Sequence, residues 1–268
     1  MSEVVQFEIE DGVALLTLNR PERLNAWTTE MEHAYFALLE RCAQDERVRV
    51  IVLTGAGRGF CAGADMQQLQ SLGNDGATAS AQELAASPEA ERRPQSFPLT
   101  ISKPIIAAVN GPCAGIGLVQ ALMCDLRFAA EGAKLTTAFA RRGLVAEHGI
   151  SWVLPRLVGP ARALDLLLSG RVVFAEEAHE LGLVNRVLAP DRLLEGTLEY
   201  ARELAVNCSP ASMATMKRQV YADLERTLPD ALAQADRLML ASFTQPDFRE
   251  GVASFLERRE PRFAALGG

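Results

Sequence analysis

Two glycine-containing segments hold the groups from which backbone chemistry can come: Gly59-Phe60-Cys61-Ala62-Gly63-Ala64-Asp65-Met66 and Asn110-Gly111-Pro112-Cys113-Ala114-Gly115-Ile116-Gly117. Each reads as a turn that carries a strand into a helix. The first turn of a helix keeps unpaired N–H groups at the positive end of its dipole, so it can hold an anion or an oxygen that gains negative charge. Two such starts facing one pocket would make an oxyanion hole. Taken singly, each turn has a plainer reading, in which glycine supplies backbone angles that other residues resist. Neither turn alone identifies an enzyme.

Other side chains narrow the chemistry. The five cysteines, Cys42, Cys61, Cys113, Cys124 and Cys208, are odd in number and form no CxxC pair, so they indicate neither a zinc site nor a disulfide framework. A reducing, cytoplasmic setting fits them, and no metal is expected. His33 and His179 fall within amphipathic helical patterns and suggest nothing beyond surface or interface positions. Asp125 and Arg127 read as structural.

At 268 residues, with 49% hydrophobic and 23% charged side chains, the chain has the composition of an ordinary globular protein and can bury a large core. Its net charge of −7 and only three lysines, Lys103, Lys134 and Lys217, argue against nucleic acid or an anionic membrane as partner, since both call for a basic face. No apolar run reaches the roughly 18 residues of a membrane span, and the residues after Met1 read as neither export signal nor anchor.

The elements that must position the two turns follow from periodicity. Val4 to Ile9 and Val13 to Leu18 are β-rich runs joined at Asp11-Gly12, a hairpin signal. Thr28 or Thr29 can cap a helix with Tyr35, Leu38, Leu39 and Cys42 at helical spacing, and Val48 to Thr54 is then a buried strand. The stretch from Gly73 to Gln95 lacks sustained periodicity and reads as a mobile excursion or weak helix. Pro104 to Val109 predicts a strand, Gly117 to Met123 an apolar helix and Leu126 to Ala129 another strand. Beyond Pro160 the pattern is helical, interrupted by a short strand at Val184 to Leu188. The expected organisation is a mixed α/β core over residues 1–200 and a helical C-terminal region over 201–268.

Four segments resemble the crotonase (enoyl-CoA hydratase/isomerase) superfamily: Asn19 to Ala26 (NRPERLNA), the Gly59 to Met66 loop, Lys103 to Gly111 (KPIIAAVNG) and Cys124-Asp125-Leu126-Arg127. Phe255-Leu256-Glu257-Arg258-Arg259 adds a fifth similarity near the end. The resemblance implies an α/β spiral of ββα repeats, a helical trimerisation region, and a homotrimer or dimer of trimers. It implies an acyl-CoA thioester as substrate, with no cofactor beyond its coenzyme A. By matched position, the thioester oxygen would lie between the N–H groups of Ala64 and Ile116. Arg23, Leu24, Ala62, Ala64, Asp65 and Met66 become candidate coenzyme A contacts, with Arg23 meeting phosphate. Phe263 is a candidate for the adenine pocket, of its own or of a neighbouring subunit.

Hydratases of this superfamily use two glutamates, and this sequence has Val119 and Phe139 at those positions. Apolar side chains neither orient nor deprotonate water. Glu147, eight residues after Phe139, matches the acid of monofunctional Δ3,Δ2-enoyl-CoA isomerases, where one base shuttles a proton. Leu144, Val145, Ala146, Ile150 and Trp152 are expected to surround it with apolar groups, which would strengthen it as a base. Its plainer reading is a carboxylate favouring a helix N-terminus. His148 reads as a hydrogen-bonding neighbour. The resemblance therefore implies an isomerase, with hydration, another acyl-CoA reaction or a catalytically inactive acyl-CoA-binding protein as alternatives.

Overall fold

The computed structural model describes residues 4–67, 70 and 93–266. Most of the weakly periodic Gly73 to Gln95 stretch lies outside the described residues.

The chain begins with the expected hairpin. Strands β1 (Val5–Glu10) and β2 (Val13–Leu18) pair antiparallel, with Val5 opposite Leu18. Asp11 and Gly12 turn between them at φ 49° and 80°, angles that aspartate tolerates and glycine adopts freely. Helix α1 (Thr29–Gln44) starts where the Thr28 hydroxyl accepts the Met31 N–H. It returns the chain to β3 (Val50–Gly55), which runs parallel to β2.

The same cycle repeats. A short helix, α2 (Phe97–Thr100), leads into β4 (Ile105–Val109), parallel to β3. The two-residue strand β5 (Cys113–Ala114) follows, then α3 (Ile116–Met123) and β6 (Leu126–Ala130), parallel to β4. All residues of β3, β4 and α3 are buried, which is why these segments are apolar throughout instead of alternating. Later cycles add β7 (Lys134–Thr136), α4 (Ile150–Val158), α5 (Pro160–Ser169), β8 (Val173–Phe174), α6 (Ala175–Glu180) and β9 (Arg186–Leu188).

Two sheets result. The larger has the order β1-β2-β3-β4-β6-β9, and the smaller has β5-β7-β8. The opening hairpin lays two strands in the large sheet, β3, β4, β6 and β9 then join that sheet in chain order, and the short β5, β7 and β8 between them form the small one. This is the spiral α/β architecture expected from the resemblance. Helix α7 (Leu193–Asn207) spans residue 200 and packs across β2, β3, β4 and β6. Helices α8 (Pro210–Asp223), α9 (Leu228–Ser242) and α10 (Pro246–Glu257) form the C-terminal helical region. No described helix is long and apolar enough to cross a membrane.

Helix α4 corrects the expectation that helical structure begins at Pro160. It starts ten residues earlier and carries Pro155 inside it, a residue that normally ends a helical pattern because it lacks the N–H donor. Gly149, in the left-handed region, starts it, and its buried Ile150, Val153, Leu154 and Val158 hold it on the core.

Candidate active site

The first glycine loop is built on a brace of polar contacts. Asn25, fully buried, donates through Nδ2 to the carbonyls of Ala56 and Gly59 at 2.9 and 2.8 Å and accepts the Arg20 N–H through Oδ1 at 2.8 Å. Arg20 in turn donates to Ala26 O at 2.6 Å and pairs with Asp65 at 3.0 Å. The Gln67 N–H, followed by the Arg20 guanidinium, holds the Asp65 carboxyl below its ordinary range. Asp65 is thus committed to fixing the loop.

An isolated parallel β-bridge, made by the backbone, pairs Cys61 with Cys113 and sets the two turns side by side; both thiols are free. The N–H groups of Phe60 and Cys61 both donate to Pro112 O at 3.1 Å, and the Ala114 N–H donates to Cys61 O at 3.0 Å. The start of α3 can approach this bridge only because residue 117 is glycine, since a Cβ there would lie 2.4 Å from the Cys61 oxygen.

The hydrogen-bond pattern then singles out two donors. On the first loop, Trp27 N–H donates to Gly63 O and Asp65 N–H to Trp27 O, at 2.8 and 3.0 Å. On the second, Gly115 N–H donates to Thr136 O and Val119 N–H to Gly115 O, both at 3.0 Å. Among the described residues no acceptor takes the N–H of Ala64 or of Ile116. Both residues line one cleft of about 670 Å³. Two unpaired donors meeting in one cleft are the arrangement that stabilises a developing oxyanion.

Glu147 lies in the same cleft. It follows a 3-10 turn at Ala140–Arg142 and precedes α4, and its side chain is 31% exposed. Helix α4 has no side-chain cap, so the carboxylate is not spent on the helix start. The apolar enclosure expected around Glu147 is only partly present. Leu144 and Phe139 line the cleft, and Ile150 is buried in the core. Val145, however, faces solvent from the loop before α4, and Trp152, on α4, turns its indole to Glu225 and stacks on Arg156.

The sequence profile described as enoyl-CoA hydratase/isomerase matches residues 8–265. The chain belongs to the enoyl-CoA hydratase/isomerase family. It is 38% identical over 265 residues to the 1,2-epoxyphenylacetyl-CoA isomerase of Escherichia coli K12, covering 98% of this chain and 99% of that protein. It is similar to the crystal structure of a probable enoyl-CoA hydratase/isomerase from Mycobacterium abscessus, with a TM-score of 0.85, 35% identity, and 98% and 99% of the two chains covered. A third similarity is to the crystal structure of an enoyl-CoA hydratase from Mycobacterium marinum, at 51% identity and TM-score 0.70, covering 84% of this chain and 100% of that one.

This member of the enoyl-CoA hydratase/isomerase family is therefore an enzyme of a group that acts on acyl-CoA thioesters. Its cleft gathers seven of the residues singled out in the sequence: Arg23, Ala62, Ala64, Asp65, Met66, Ile116 and Glu147. Leu24 acts through its backbone, in the left-handed region at φ 49°, where its carbonyl accepts the Ala62 N–H. Phe263 lies elsewhere in this chain, in a cavity among α8, α9 and α10 beside Gly251. Val119 is fully buried within α3 and Phe139 presents an aromatic wall to the cleft. Sequence reasoning missed Gln67, Thr137 and Arg142 as cleft residues. Gly143 and Gly149, both at positive φ, were the available signal that the chain bends back over the site around Glu147.

Proposed function

We propose that this enzyme isomerises 3-enoyl-CoA to 2-enoyl-CoA with Glu147 as its one base. The carrying observation concerns the carboxylates of the cleft. Among its described residues these are Asp65 and Glu147, and Asp65 is held by Arg20 and the Gln67 N–H, which leaves Glu147 available. In the reaction, Glu147 takes a proton from C2 and the electron pair moves into the thioester carbonyl, whose oxygen is held by Ala64 and Ile116 N–H. Return of the proton to C4 moves the double bond from C3–C4 to C2–C3 and regenerates the carboxylate. A positioned base contributes roughly 10²–10⁴-fold, and each oxyanion donor is worth about 3–4 kcal/mol in the transition state. The reaction needs no cofactor beyond the coenzyme A of the substrate.

Arg23, Leu24, Ala62 and Met66 would bind the coenzyme A portion, with the Arg23 guanidinium suited to phosphate. The exposed apolar residues of α8–α10 support assembly into a homotrimer or dimer of trimers, in which Phe263 would meet a neighbouring subunit's ligand. A second reading, hydration of 2-enoyl-CoA or isomerisation of a ring-bearing thioester, is favoured by the names of the similar proteins. Parallel assays of wild type and Glu147→Gln on 3-enoyl-CoA and trans-2-enoyl-CoA separate the readings.

A further inference from the structure

In a regular helix or strand, two consecutive side chains point apart. Glu147 and His148 escape this rule because their backbone is neither. The Ile150 N–H closes a turn on the Glu147 carbonyl at 3.1 Å, with His148 at φ 58° and Gly149 at φ 81°. Positive φ at both central positions belongs to a type I′ turn, which glycine and asparagine usually occupy. A histidine there holds a conformation that most residues avoid, and such departures cluster where geometry serves function. The consequence is that both side chains line the cleft and His148 Nε2 lies 3.5 Å from Glu147 Oε2. Contacts of this kind often tighten only when substrate is bound.

His148 has a second neighbourhood. It also borders a second groove, of about 780 Å³, lined by Glu32, Gln95 and Ser96 together with Phe36 and Pro94 and reaching the surface at His33 and Ala37, both exposed. The imidazole thus borders both the cleft that holds the carboxylate and a solvent-reaching groove. Its two ring nitrogens suit it to accept a proton on one side and release one on the other.

We propose that His148 relays protons between Glu147 and solvent during isomerisation. This rests on Glu147 being the base. After Glu147 takes the C2 proton, the carboxylic acid gives it to His148 Nε2, and the imidazolium releases its Nδ1 proton to water in the groove. The reverse sequence returns a solvent proton to Glu147 for delivery to C4, so no proton is gained or lost overall. Part of the hydrogen that arrives at C4 therefore comes from solvent.

The test is isomerisation of a 3-enoyl-CoA in deuterium oxide at low conversion, with deuterium at C4 of the 2-enoyl product read by mass spectrometry. The comparison is with His148→Asn, since asparagine tolerates the left-handed backbone and can still donate to the carboxylate but cannot carry a proton. Wild type is expected to label C4 substantially, and His148→Asn to lose the label several-fold per turnover. An unchanged label in the variant, or wild-type product without deuterium, overturns the relay. If His148→Asn does not fold, His148→Gly, which adopts positive φ freely and carries no proton, serves as the same comparison, and the wild-type label alone still decides whether exchange occurs. Isomerisation that survives in Glu147→Gln would instead sink the assignment of the base, which keeps the two failures distinct.

Discussion

Residues up to Asn207 and the three helices after them use apolar side chains in opposite ways. In the first region Tyr35, Phe60, Leu16, Ile51 and Phe128 are buried in one continuous core. In the second, Met216, Val220, Leu232, Leu240 and Phe255 stand exposed, Phe255 at 83%, and α9 buries no residue at all. The core thus holds the two glycine turns rigidly by burial and backbone hydrogen bonds. The helical region leans on a few polar ties instead: Lys217 Nζ and the Tyr221 hydroxyl both reach Asp125, at 2.8 and 3.0 Å, and Arg49 donates to Phe263 O at 2.8 Å. An amphipathic helix with an uncovered apolar face is a surface for association. On the proposed reading, catalysis belongs to the first region and assembly to the second.

Four substitutions sharpen this division. The largest effect belongs to the core. Ile116→Pro removes one oxyanion donor at the first position of α3, where proline is tolerated, and is expected to lower kcat by roughly 10²–10³-fold with coenzyme A binding little changed. Steady-state kinetics beside a binding titration check it. The next concerns the tie between regions. Lys217→Met leaves Asp125 without its cation, and with side-chain exposures of only 7% and 18% for the pair, unfolding free energy should fall by about 2–3 kcal/mol, somewhat less than for a fully dry pair. A shift in denaturant midpoint reads this loss.

Phe255→Asp should act on assembly and barely on the fold. Sedimentation is expected to show smaller species, while the stability of the chain itself changes by roughly 0.5 kcal/mol or less. Unchanged assembly would mean that this face is not the interface. The smallest effect is electrostatic. Arg259, then the Arg262 N–H, holds the Glu250 carboxyl at about 2, below its ordinary 4.5. Because the folded chain binds that proton more weakly than the unfolded one, the stabilisation is complete above pH 4.5 and fades as pH falls toward 2. Glu250→Gln should flatten the acid limb of helix loss, followed by circular dichroism.

The parts of the fold legible in the sequence were those fixed by local rules. Asp11-Gly12 marked the hairpin, Thr28 marked the start of α1, and continuous apolar runs marked β3, β4 and α3. The small sheet was not visible, because strands such as Cys113–Ala114 and Val173–Phe174 are too short to show a period. Helix α4 was hidden by Pro155. At the site, residue types located the two glycine turns, but the Cys61–Cys113 β-bridge that sets them side by side spans 52 residues and leaves no local trace. The meeting of Glu147 with those turns rested on resemblance, and the left-handed His148 that turns both side chains into the cleft has no sequence signal beyond the glycine that follows it.

The most direct test of the account is conversion of a 3-enoyl-CoA to the conjugated 2-enoyl-CoA by wild type and Glu147→Gln, followed by the absorbance of the conjugated thioester. The account predicts that wild type forms the conjugated product and that Glu147→Gln is slower by roughly 10²–10⁴-fold. Conversion by a folded Glu147→Gln at the wild-type rate would contradict it, as would a wild-type enzyme that hydrates the 2-enoyl thioester while leaving the 3-enoyl isomer untouched.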